Sequence, residues 1–207
     1  EPTAIAWSPD GSRLCLGFST GELRLLGFPG WKEIWRRSDP CGKIWAAAFD
    51  ASGGRIATGH GEAGAWIRDA ATGSCAVEIG DPRHLDRERG RKIPHSSPVD
   101  VVEFAPGGRS LLTSSPDGDA RVWSAATGEG ESRWLRHGSN RSAAFSSDGR
   151  WALTASRDGT GRIWDWRTGD IIAPPLVHGT EVRWTRLDPR GGRAVTVGAD
   201  GSMRIWQ

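Results

Sequence analysis

Ala143-Ala144-Phe145-Ser146-Ser147-Asp148-Gly149 runs on through Asp158-Gly159 to Arg162-Ile163-Trp164 and closes at Asp165-Trp166-Arg167-Thr168-Gly169. Three chain reversals are written into this stretch. The apolar anchor Phe145 enters a Ser/Asp/Gly turn, where aspartate bonds its own backbone and glycine takes the positive φ. An Asp-Gly pair between apolar runs is a strong hairpin signal, and a Thr-Gly turn then releases a further strand. The signature Arg-Ile-Trp returns 42 residues later as Arg204-Ile205-Trp206 and stands 41 residues earlier as Arg121-Val122-Trp123. A fixed period in the low forties marks an array of equivalent small sheets.

Outward from this unit, the same turn follows Trp7, Phe49, Phe104 and Leu187, so the anchors are 42, 55, 41 and 42 residues apart. Second strands are expected at Arg13–Gly17, Arg55–Thr58, Ser110–Ser114, Trp151–Ala155 and Arg193–Val197, with weaker fourth strands such as Ser132–Leu135 and Ile171–Leu176. Asp117-Gly118 and Asp200-Gly201 repeat the hairpin, and Thr72-Gly73 and Thr127-Gly128 repeat the later turn. Four antiparallel strands per unit, with no helical period anywhere, predict an all-β chain built as the blades of a β-propeller. The interval of 55 carries an insertion over 81–95 that opens Asp81-Pro82-Arg83-His84-Leu85-Asp86-Arg87-Glu88-Arg89-Gly90-Arg91-Lys92. Its dense mixed charge predicts an exposed loop.

The Ser-Pro-Asp-Gly-like turns, Asp-Gly hairpins, Arg-(Ile/Val)-Trp strands and Thr-Gly turns together resemble the WD-repeat family over essentially the whole chain. Units at 95–137, 137–178 and 178–207 match closely, and the first two are degenerate. The resemblance implies a β-propeller of four-stranded WD-repeat blades. Five repeats lie at about 1–38, 39–95, 96–137, 138–178 and 179–207, the last without its fourth strand. Rings of the family carry about seven blades and complete the last one with a strand from the other terminus. The expectation is therefore a portion of a larger ring, and the opening Glu1 in place of Met agrees with an excised piece.

Composition narrows the function classes. The net charge of +2 is small for 207 residues, so neither nucleic acid nor an anionic membrane is implied as a partner. Arginine outnumbers lysine 24 to 3, the bias of a GC-rich bacterial gene. Cys15, Cys41 and Cys75 are odd in number and form no CxxC pair, which predicts reduced thiols in a cytoplasmic setting. No apolar run approaches a membrane span, and no signal peptide opens the chain.

Histidine, hydroxyl and carboxylate recur in register: His95, Thr113, Asp117 and Trp123; His137, Thr154, Asp158 and Trp164; His178, Thr196, Asp200 and Trp206. One such set would suggest acyl transfer. Three near-identical sets argue against it, since an enzyme needs one site. The family resemblance implies a structural network in which Asp accepts from His, His bonds Thr, and Thr accepts from the Trp indole; catalytic residues, metal and cofactor are all expected to be none. Unit two places Arg68 and Glu62 at the Trp and Asp positions, and unit one has Leu16, Thr20 and Leu26 at the hydroxyl, carboxylate and Trp positions. These two blades are expected to rely on apolar packing. His60 and His84 have no ligand partners at metal spacing.

The resemblance also implies that partners bind the wider face. Four residues before each anchor stand Thr3, Trp45, Asp100, Arg141 and Arg183; just before each hairpin stand Ser19, Gly61, Pro116, Arg157 and Ala199. Arginine and tryptophan there are interface hot-spot types, and arginine forks suit carboxylates, so a protein or peptide partner of acidic character, an acidic peptide or a phosphorylated segment, is expected. Arg87, Arg89 and Arg91 of the insertion lean the same way. Trp31, Trp35, Trp134 and Trp166 fall on outer strands or turns, where they are expected to cover blade edges, a second contact patch being the alternative. The leading function is a non-catalytic interaction scaffold within a larger bacterial protein, with self-association or pairing with missing blades in view. A sensor domain governing an attached kinase, NTPase or protease is the alternative, and a propeller enzyme the weaker one.

Overall fold

Short apolar runs between glycine turns leave the chain no element but the strand, and no helix occurs among the described residues. The computed structural model describes residues 1–38, 42–62, 64–86, 91–188 and 192–207, with backbone alone for 81–86 and 91–93. The first sheet is β1 (Pro2–Trp7), β2 (Arg13–Phe18), β3 (Glu22–Gly27) and β4 (Lys32–Ser38); the second is β5 (Ile44–Phe49), β6 (Arg55–His60), β7 (Ala65–Asp69) and β8 (Cys75–Ile79). β9 (Asp81–Asp86) and β10 (Arg91–Ile93) pair with each other. The third sheet is β11 (Val101–Phe104), β12 (Ser110–Ser114), β13 (Asp119–Ser124) and β14 (Leu135–Arg136). The fourth is β15 (Asn140–Phe145), β16 (Trp151–Ser156) and β17 (Thr160–Asp165), with β18 (Asp170–Ile171) and β19 (Leu176–Val177) both on β17. The fifth has three strands, β20 (Val182–Leu187), β21 (Ala194–Gly198) and β22 (Met203–Trp206). These are antiparallel propeller blades in sequence order, and the described strands form no closed ring.

Two expectations need correction. The insertion was expected as a loop, but its backbone forms the β9–β10 hairpin, with Arg91 opposite Asp86 and Lys92 opposite Leu85. Dense charge in the sequence therefore did not preclude strand pairing. The fourth strand expected at Ile171–Leu176 is split, because Pro174 and Pro175 offer no N–H to the ladder.

The core is serial. Cys15, Leu23 and Leu25 of the first blade meet Ile44 and Ile56 of the second. Ile67 and Ile79 meet Leu111 and Trp123 at the next junction, and Leu112 and Val122 meet Phe145 and Trp164 at the one after. Each wholly buried Leu or Ile contributes about 1.5–3 kcal/mol, and each blade depends on its immediate neighbours. The first two blades also have polar ties. Arg13 donates to the Gly53 carbonyl at 2.7 Å and lies over the Phe49 ring at 5.6 Å. Arg55 repeats the arrangement on the Gly108 carbonyl and the Phe104 ring. The expectation that these blades rest on apolar packing is thus incomplete: an arginine latch joins each to the next.

Of the four outer tryptophans, Trp35 and Trp166 are buried and donate to the Ala70 and Gly149 carbonyls at 2.9 and 3.0 Å, and Trp134 packs on the second junction. Trp31 does not cap an edge; it is exposed and meets Trp7 and Phe28 edge to face.

Candidate functional site

The three recurrent sets lie inside the blades. In unit three, Trp123 Nε1 donates to Thr113 Oγ1 at 2.8 Å, Thr113 lies 2.8 Å from His95 Nε2, and His95 Nδ1 is 3.3 Å from Asp117 Oδ2. In unit four, Trp164 donates to Thr154 at 2.9 Å and Thr154 contacts His137 Nδ1 at 2.6 Å. His137 Nε2 then reaches Thr160 Oγ1 at 2.8 Å, and Thr160 donates to Asp158 at 2.7 Å; His137 and Asp158 themselves are 3.7 Å apart. Unit five repeats this relay through Ser202: His178 Nε2 to Ser202 at 2.9 Å, and Ser202 to Asp200 at 2.7 Å.

Among the three sets, the direct Asp–His approach implied by the family is closest in unit three, as a 3.3 Å contact. There Asp119 occupies the register place of Thr160 and Ser202, so no hydroxyl stands between and the ring turns over. Assigned from these partners, each chain of donors runs one way, from indole through hydroxyl to imidazole and on towards the carboxylate. Thr113, Thr154 and Thr196 are wholly buried, so none presents a nucleophile to solvent. Burial pushes the His137 pKa down to about 4, against the pull of Asp158, which keeps this ring neutral. Unit two has rebuilt part of the network: His60, on β6 itself, bonds Thr58 at 2.9 Å inside the core. Burial and the nearby Arg68 charge push the His60 pKa down to about 3.

The rim residues are set by a repeated backbone device. The ladder between first and second strands slips at Pro2/Ala4, Ile44/Ala46, Asn140/Ser142 and Val182/Trp184, so Thr3, Trp45, Arg141 and Arg183 are bulge residues. A bulge leaves its extra residue out of the ladder and re-aims the side chain. The residue before the hairpin pins it: Arg157 N donates to the Ser139 carbonyl at 3.0 Å, as Gly61 does to Lys43 and Ala199 to Glu181.

Asp100, Arg141, Arg157 and Arg183 come together around one open basin of about 490 Å³, joined by Glu181. Glu181 Oε1 holds Arg141 Nε at 2.7 Å and Arg157 Nε at 3.6 Å. Arg157 and Arg183 are exposed, and Arg141 is half-buried. Trp45 is not part of the basin; it stands on the second blade, 42 % exposed, under the Lys43 ammonium at 3.4 Å. Arg87 and Arg89 lie outside the described residues, and Arg91 is described only as the first residue of β10. Glu181 escaped sequence reading because the place six before each anchor holds Glu1, Lys43, Pro98, Ser139 and Glu181, which keep no constant chemistry from blade to blade. Thr160 and Ser202 were legible, each two residues after a hairpin aspartate.

Burial pushes the Asp100 pKa up to about 7, with Asp117 adding to the shift and Arg141 opposing it. The folded chain therefore keeps a proton that the unfolded chain releases near pH 4, and the fold loses stability as pH rises through that interval. Asp100→Asn removes this titration, so its melting midpoint gains on the parent chain's between pH 4 and pH 8. The buried His60 and His137 act in the opposite direction below about pH 6.5, but equally in both proteins, so they leave the difference untouched. Parallel melting curves at every pH would contradict the assignment.

Comparison with known proteins agrees with this architecture. The WD40 family model, described as WD domain, G-beta repeat, matches residues 89–124 and 133–165. The chain is also similar to the Periodic tryptophan protein 2 homolog of Dictyostelium discoideum, 24 % identical over 115 residues. That match covers 56 % of this chain and 11 % of the relative's length.

Proposed function

We propose that the chain is a non-catalytic protein-interaction scaffold, a blade array within a larger protein, and that its rim basin docks an acidic segment of a partner. The observation that carries this reading is the bulge geometry. Backbone slips in two successive blades deliver Arg141 and Arg183, and a hairpin delivers Arg157, to one concave site. Unrelated surface charge would scatter. Clustered guanidiniums around one basin give charge-assisted, orientation-specific bonds to carboxylates. The matched repeats, which generally bind protein partners, support the broader half of the proposal. The burial of the three threonines argues against their use as nucleophiles and supports a structural role for these sets.

The test is titration of a labelled Glu/Asp-rich peptide against the chain and against the double variant Arg157→Glu, Arg183→Glu. Affinity is expected to fall at least about tenfold, with an unchanged melting midpoint because both side chains lie in solvent. Undiminished binding by the variant would move the partner site off this rim.

A further inference from the structure

We infer that the basin takes a phosphorylated serine or threonine side chain of the partner segment, with Glu181 as the residue that positions the arginines for it. This rests on the acidic-partner reading above and narrows it. Arg141 and Arg157 both address the same Glu181 oxygen through Nε. That mode of contact leaves their terminal amino groups uncommitted, and Arg157 and Arg183 make no other side-chain bond or ion pair among the described residues. Glu181 is thus a fixed point for two guanidiniums rather than the occupant of their forks.

Charge then selects the ligand. Three guanidiniums less one carboxylate leave two positive charges around the cavity. A partner carboxylate would neutralise one; a phosphate monoester carries about −1.5 to −2 at neutral pH and three acceptor oxygens. Three oxygens match three separate arginine termini better than two do. Asp100, the remaining wall, has one oxygen buried without a partner among the described residues. Burial raises the pKa of this carboxyl to about 7, so near neutral pH it repels an incoming anion less than an ordinary carboxylate would.

The experiment uses short peptide libraries with the central residue fixed as phosphoserine, glutamate or serine, titrated against the 207-residue chain. Phosphoserine is expected to bind about tenfold more tightly than glutamate, and serine not measurably. Glu181→Ala is expected to weaken the phosphoserine library several-fold although it removes a negative charge from the site, and Glu181→Gln, which keeps an acceptor for both Nε groups, to retain most of the affinity. Tighter binding by Glu181→Ala would make Glu181 a plain competitor and overturn its positioning role. Equal affinity for phosphoserine and glutamate overturns the narrowing and leaves the acidic-partner reading standing; binding of neither overturns both.

Discussion

Thr154→Val is expected to lower the unfolding free energy by about 2–4 kcal/mol, although valine matches threonine in shape. The hydroxyl is the central link of its chain, accepting from Trp164 Nε1 and contacting His137 Nδ1. Its removal orphans two buried groups at once, each at a cost of about 1–3 kcal/mol. No rearrangement is open to them, since Trp164 is 5 % and His137 1 % exposed and the blade junction surrounds both. Trp164→Phe removes one donor and leaves the Thr154–His137 bond in place, so a smaller loss of about 1–2 kcal/mol is expected. Thr196→Val should fall between them, because Trp206 is only half-buried and its indole can turn to water. Urea denaturation followed by tryptophan fluorescence gives all three. A Thr154→Val loss no larger than that of Trp164→Phe would mean that the hydroxyl is not the shared hub.

The repeat was legible because its punctuation is chemical. Gly11, Gly53, Gly108 and Gly149 all take φ between 67° and 69°, at the places the Ser-Pro-Asp-Gly-like turns require. Second strands expected at Ser110–Ser114 and Trp151–Ala155 agree with β12 and, to one residue, with β16. What a linear alignment could not show is how side chains from different blades meet. Glu181 joins Arg141 across 40 residues of sequence, and nothing local to either predicts the pairing. Likewise Asn140 takes the place filled by Ile44, Val99 and Val182 in other blades, wholly buried at the third junction with its amide atoms lacking partners among the described residues. Alignment gives the place of such a residue but not the penalty of burying it, which weakens the junction beneath the basin. The rim positions themselves were found by counting back from the anchors. That counting works because the bulge recurs at a constant distance from the turn, so a backbone irregularity behaves as a periodic feature.

Gly128→Ala is expected to destabilise the chain by about 2–5 kcal/mol, and the reason separates two properties of glycine. Gly128 closes the Thr-Gly turn of the third blade with φ 75°. A left-handed conformation alone costs an alanine about 1–2 kcal/mol. A methyl group there would also stand 2.0 Å from the Glu78 carbonyl oxygen of the second blade. That contact is backbone against backbone, and the Gly128 carbonyl accepts from Gly80 N at 3.1 Å in the same seam. Neither strand can retreat without opening the junction, which adds an overpacking penalty of about 1–3 kcal/mol. Gly11 is the control: φ is 68°, and nothing lies within 4 Å of an added methyl. Gly11→Ala should therefore show the conformational part alone, about 1–2 kcal/mol. The difference between the two variants measures how tightly outer turn and outer strand are joined from blade to blade. Equal losses would show that the seam yields freely and adds nothing to the apolar faces and arginine latches that join the blades.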